Sequence, residues 1–194
     1  MTKLSIELSE NNVGCYVKTN LKNITHEEIQ EIKKLLNKHS VLFFKEQHLN
    51  PQEYIRFASN FGKPAEYPML KPHKDFKDIY VIERKKGDKG IGFGIGAHTD
   101  SSYMNNPPRF TFLQAIQVPE EGKGNTLFYN QFLAYEALPN EIKNKIENLK
   151  GVFSSQGKIA RTRVQREVEH GTNNTKEIRS KHKLVQSIDD RKAI

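Results

Sequence analysis

An imidazole and a carboxylate stand two residues apart in the stretch GIGAHTDSSY, residues 94–103, and His98 and Asp100 could together hold a metal ion. On an extended strand successive side chains alternate faces, so His98, Asp100 and Ser102 would project to one side and Thr99 and Ser101 to the other. A neutral imidazole nitrogen and a carboxylate oxygen so placed fill two adjacent coordination positions. One further imidazole would complete the two-histidine, one-carboxylate face that suits non-haem Fe(II), although zinc accepts the same donors. Ser102, on the metal-facing side, is then a candidate substrate contact.

Spacing by itself is weak evidence. Seven His and six Asp in 194 residues yield roughly 0.2 such triplets by chance. A second one, His73-Lys74-Asp75, lies in a Pro-flanked polar segment and reads as a solvated loop. His26-Glu27-Glu28 falls in the first turn of a helix, where positions two apart do not share a face. The glycines before His98 lack the G-x-G-x-x-G spacing, and no helix pattern follows, which argues against a dinucleotide turn.

The elements that must position the pair can be read from periodicity. KLSIEL and CYVK suggest two strands. Thr25 and Glu28 make a capping box ahead of Ile29, Ile32, Leu35 and Leu36, which predicts a helix over 26–38. VLFF (41–44) reads as a buried strand, and Asn50-Pro51 with Glu53 opens a helix whose Tyr54, Phe57 and Phe61 share a face. Further strands are expected at 79–83, 109–118 and 125–129, with PEEGKG as the turn between the last two. Helical patterns follow at 131–138 and 140–150. From residue 156 to 182 the chain is polar and charged and reads as a lid-like loop within a single domain spanning 1–194. The expected fold is mostly β with peripheral helices, an antiparallel core rather than a doubly wound sheet.

Composition narrows the partners. The net charge of +8 and pI near 9.4 favour anionic ligands, and the excess is concentrated after residue 156. A lone cysteine, Cys15, excludes an intrachain disulfide and suits a reducing compartment, with a small buried apolar side chain as its simplest role. The N-terminus has no signal-peptide pattern and no run is long enough to cross a bilayer, so a soluble cytoplasmic protein without a membrane partner is expected. Homo-oligomerisation is left open.

Three blocks, HSVLFFKEQHLNPQEYIRFASNFGKP, AHTDSSYMNNPPRFTFLQAIQVPEEGKGNTLFYNQFLAYEALP and HKLVQSIDDRKAI, resemble successive parts of the taurine/2,4-dichlorophenoxyacetate dioxygenase family. The joint order of H-T-D, P-P, G-x-T and A-Y-x-x-L-P is far more specific than any one piece. The resemblance implies a double-stranded β-helix, or jelly roll, incomplete at its C-terminus. It also implies Fe(II) as cofactor, with 2-oxoglutarate and O2 as cosubstrates. His98 and Asp100 match the family's first two iron ligands, and Thr126 matches the threonine that hydrogen-bonds the distal carboxylate of 2-oxoglutarate. The third ligand, a histidine, and the arginine that grips 2-oxoglutarate are expected beyond residue 194.

His182 and His170 are set aside as replacements for that histidine, since His182 matches another family position and His170 lies in the lid-like stretch. Lys183 and Phe153 depart from the usual proline and histidine of the pattern. The implied activity is hydroxylation of a small, anionic organic substrate with release of succinate and CO2, while the 194-residue chain alone is expected to be inactive. Two rival readings are an inactive truncated fragment of such an enzyme and a basic, non-catalytic nucleic-acid-binding module. Against the second, basic and acidic residues alternate in the tail and no aromatic residue follows Phe153 to stack bases.

Overall fold

The structure, a computed structural model, describes residues 4–11, 13–67, 72–87, 94, 96–156 and 177–194. By contact density the chain forms two compact units: residues 1–62, 112–144 and 185–194, and residues 63–111 and 145–184.

In the first unit, β1 (Ser5–Leu8) and β2 (Cys15–Lys18) pair antiparallel, with Ile6 opposite Val17. β3 (Leu42–Phe43) joins β2 in parallel. Between them runs α1 (His26–His39), whose capping box is complete: the Glu28 amide donates to Thr25 Oγ1 at 3.2 Å and the Thr25 amide to Glu28 Oε2 at 2.8 Å. Ile29 and Ile32 are its buried stripe. α2 (Pro51–Ser59) is capped the same way by Asn50 and Glu53, with Pro51 in its first turn. Phe57 is buried and stacks edge-to-face on Phe44, Phe61 and Phe112. These side chains join Leu4, Cys15, Val17, Leu21 and Leu49 in one apolar core.

Gly14 is required where it stands. Its φ is 86°, and a Cβ there would lie 2.9 Å from both the Val41 carbonyl oxygen and the Phe43 ring. That close approach lets Gly14 and Cys15 donate to the His39 and Val41 carbonyls at 3.1 Å. Cys15 is fully buried, and burial pushes its thiol above the ordinary range despite the Lys38 charge, in keeping with a packing role. Gln47 ties the edge of the sheet together, accepting from the Leu21 amide and donating to the Thr19 and Lys45 carbonyls.

Downstream come α3 (Gln131–Glu136), α4 (Asn140–Ile146), β4 (Lys150–Ser154), β5 (Arg179–Lys183), β6 (Gln186–Ile188) and β7 (Arg191–Ala193). β4 pairs antiparallel with β5 and β6 with β7. In the first unit the Arg191 guanidinium lies 4.0 Å above the Phe132 ring and 3.7 Å from the Glu136 carboxylate, fastening β7 to α3.

Several expectations need correction. The helices occupy more of the described chain than the strands do, so the molecule's own ladders are not those of a mostly β protein. Residues 79–83, 109–118 and 125–129 form no strand; Tyr80 makes one isolated bridge with Pro72. β-propensity describes how well a side chain suits a packed, pleated surface, and it cannot supply the neighbouring backbone that a ladder needs. Among the described residues these stretches join none of the sheets, and Ile116 is 87% exposed. The helix expected over 140–150 ends at Ile146, because Lys150 onward is taken by the ladder to β5, where the Leu184 amide also donates to the Leu149 carbonyl. Of the lid-like stretch 156–182, residues 157–176 lie outside the described residues, and 179–182 belong to β5. Among the described residues no helix is long and apolar enough to cross a membrane.

Candidate metal centre

His98 and Asp100 do not lie on a strand. Residues 100–103 form a turn in which Ser101, buried, takes a φ of 53° and the Met104 amide donates to the Ser101 carbonyl at 2.9 Å. The strand alternation that grouped His98, Asp100 and Ser102 is therefore replaced by a left-handed residue inserted after Asp100. The imidazole and the carboxylate nevertheless converge: His98 Nε2 lies 3.2 Å from Asp100 Oδ1.

The partners of the remaining atoms define what this pair can do. His98 Nδ1 lies 2.9 Å from the Gly96 carbonyl oxygen, and a carbonyl only accepts, so Nδ1 carries the hydrogen. Gly96 presents that carbonyl from a φ of 93°, a conformation glycine adopts freely. With Nδ1–H committed, the Nε2 lone pair of a neutral ring faces Asp100 Oδ1. Two electron-rich atoms at this distance call for a positive charge between them, either a second ring proton or a metal ion. The Thr111 hydroxyl donates to Asp100 Oδ2 at 2.8 Å, which leaves Oδ1 as the oxygen turned toward the ring. Both side chains are a little under half exposed, so an ion can reach them from solvent.

The geometry fits a metal. Donors at about 2.0–2.2 Å from an ion and at right angles to each other are about 3 Å apart, close to the observed separation. The ring tautomer fixed by a backbone carbonyl and the carboxylate oriented by a hydroxyl are the usual supports of such ligands. Among the described residues no third His, Cys, Asp or Glu joins the pair.

Of the other sequence candidates, Ser102 is half-buried within the turn, where its carbonyl accepts from Ser180 Oγ at 2.7 Å. Thr126 is exposed in an irregular segment of the first unit, whereas His98 and Asp100 belong to the second. His73 accepts the Asp75 amide on Nδ1 at 3.1 Å and the Asp75 carboxylate stays exposed, in line with a solvated loop. Most of the glycine stretch before His98 lies outside the described residues. His182 brings Nε2 to 3.0 Å from the Ser102 carbonyl, 2.9 Å from the Met104 carbonyl and 2.8 Å from Ser180 Oγ. Sequence reasoning missed Thr111 altogether, since nothing in RFTF distinguishes a threonine that reaches a carboxylate eleven residues back.

The family model for the taurine catabolism dioxygenase TauD, TfdA family matches residues 16–194, and the chain belongs to this family of 2-oxoglutarate-dependent, non-haem iron dioxygenases. An alkylsulfatase of Acinetobacter baylyi is 32% identical over 158 residues, covering 80% of this chain and 47% of that protein. The alpha-ketoglutarate-dependent 2,4-dichlorophenoxyacetate dioxygenase of Cupriavidus pinatubonensis is 30% identical over 138 residues, covering 63% and 48%. The chain thus spans about half the length of the curated relatives it matches. Among solved structures, AAD-2 in complex with Mn(II) and N-oxalylglycine superposes with a TM-score of 0.70 at 23% identity, over 99% of this chain and 68% of that one. A taurine dioxygenase from Burkholderia xenovorans gives 0.68 at 18% identity, over 99% and 62%. The chain follows the fold of these jelly-roll dioxygenases, although its own hydrogen-bonded ladders are three small sheets among the described residues.

Proposed function

We infer that this chain carries the metal-binding part of an Fe(II)- and 2-oxoglutarate-dependent dioxygenase that hydroxylates a small, anionic organic substrate. The observation that carries the reading is the 3.2 Å approach of His98 Nε2 to Asp100 Oδ1, with Nδ1 and Oδ2 both occupied by partners that leave those two atoms free for an ion. In this reading His98 and Asp100 are iron ligands, Thr126 holds the distal carboxylate of 2-oxoglutarate, and the Ser102 hydroxyl touches the substrate. Bound Fe(II) with 2-oxoglutarate and O2 supplies the oxidising power for C–H hydroxylation, the keto acid leaving as succinate and CO2. The protein's own part is to hold the metal-facing atoms, orient the substrate and exclude other reductants.

The basic C-terminal residues do not favour a nucleic-acid surface. Within 177–194, Arg179 pairs with Glu177 at 2.6 Å, and Arg191 is taken by Glu136 and Phe132.

The two protein donors found among the described residues hold a divalent ion loosely, so weak iron binding and no turnover are expected of the 194-residue chain by itself. The test is anaerobic addition of Fe(II) and 2-oxoglutarate to the purified chain. A metal-to-ligand absorption band that His98→Ala and Asp100→Ala each remove supports the assignment. A band of equal strength in both variants refutes it, and succinate formation in air would overturn the expected inactivity.

A further inference from the structure

We propose that His182 is a positioning residue for the proposed metal ligand Asp100, clamping the turn that carries that carboxylate onto β5; the proposal deepens the metal reading and rests on it. Two carbonyl oxygens, of Ser102 and Met104, lie 3.0 and 2.9 Å from His182 Nε2. Neither can donate, so the hydrogen of the neutral ring is on Nε2 and is shared between them. Ser180, buried on the same strand, donates its hydroxyl to the Ser102 carbonyl at 2.7 Å and stands 2.8 Å from Nε2. One imidazole and one hydroxyl thereby satisfy the carbonyls on both sides of Tyr103. The Phe153 ring, 5.5 Å away centroid to centroid, packs against the imidazole.

The clamp matters because of what it holds. Ser101, next to Asp100, is a buried non-glycine residue in the left-handed region, a conformation that persists only where its surroundings over-determine it. The two carbonyls held by His182 belong to the residues just beyond it. Releasing them would let Ser101 relax, and Asp100 would move relative to His98, whose ring is tied separately to Gly96. Ligand atoms must be held to within about half an ångström to act together. The same hydrogen leaves His182 Nε2 without a lone pair to offer a metal ion.

The purified 194-residue chain tests this through three readouts that need no turnover: the His182 tautomer by 15N NMR, hydrogen exchange at the Met104 amide, and Mn(II) affinity by electron paramagnetic resonance. The wild type should show the Nε2–H tautomer. His182→Phe should speed Met104 exchange at least tenfold and weaken Mn(II) binding about tenfold, leaving exchange in β1 and β2 unchanged; His182→Gln, which keeps a donor at similar reach, should restore most of both. Should the Phe variant not fold, Ser180→Ala takes its place and should raise Met104 exchange several-fold. An Nδ1–H tautomer in the wild type, or unmoved exchange and affinity in these variants, overturns the proposal. His98→Ala separates the two ideas: it should abolish Mn(II) binding with Met104 exchange unaltered, and retained binding there sinks the metal reading while the exchange data still decide the clamp.

Discussion

Replacing Thr111 by valine keeps its β-branched shape and deletes one atom that matters, the hydroxyl that donates to Asp100 Oδ2 at 2.8 Å. A hydrogen bond to a charged acceptor contributes about 1.5–3 kcal/mol when water is excluded. Asp100 is 46% exposed, so water replaces part of the lost bond and about 1 kcal/mol remains. That energy corresponds to about a fivefold weaker hold on a divalent ion, because the carboxylate is freer to turn Oδ1 away from His98. The assay is titration with Mn(II), following the resonance of the free ion, on wild type, Thr111→Val and Thr111→Ser. The serine variant should bind as the wild type does, and the valine variant should melt only about 2–4 °C lower. If valine binds Mn(II) as tightly as threonine while His98→Ala does not bind, Thr111 does not orient the carboxylate and the reasoning from Oδ2 to Oδ1 is wrong.

Gly14→Ala places a Cβ against a backbone carbonyl that cannot yield, at a φ of 86°; the left-handed cost of about 1–2 kcal/mol and overpacking of about 1–3 kcal/mol should lower the melting temperature by several degrees, and an unchanged melt would contradict the close approach. Stability should also fall in acid in two steps. Burial, aided by the Lys38 charge, holds the His39 imidazole below its usual value, and Nε2 is buried without a hydrogen-bond partner among the described residues. The unfolded chain therefore takes up that proton first, so stability present above about pH 6.5 is lost as the pH falls toward the folded value. The Thr25 amide, outweighing the opposing effect of burial, holds the Glu28 carboxyl below its ordinary value, so a second loss sets in only as the pH falls below about 4.5. Urea melts of wild type and His39→Leu should differ in pH dependence near neutrality and agree in the lower window; identical profiles would remove His39 from the account.

Local chemistry was legible from the sequence alone wherever a few adjacent residues decide it. The caps of α1 and α2, the buried faces of Ile29, Ile32 and Phe57, and the existence of β1 and β2 follow from spacing and side-chain type, because a helix turn or a capping box closes within four residues and alternation shows within a single strand. What required the tertiary structure is everything that depends on a distant partner. Whether 109–118 becomes a strand depends on a neighbouring backbone, and its composition cannot provide one. Lys150 left its helical pattern because β5 offered a ladder. His98 and Asp100 meet through a left-handed turn rather than through strand alternation, and that turn is held by Ser180 and His182, about eighty residues away in the chain. Thr111 and His182 acquire their roles only once folding brings a hydroxyl to a carboxylate and an imidazole to two carbonyls, and hydrogen bonds between residues so far apart in sequence leave no periodic trace in it.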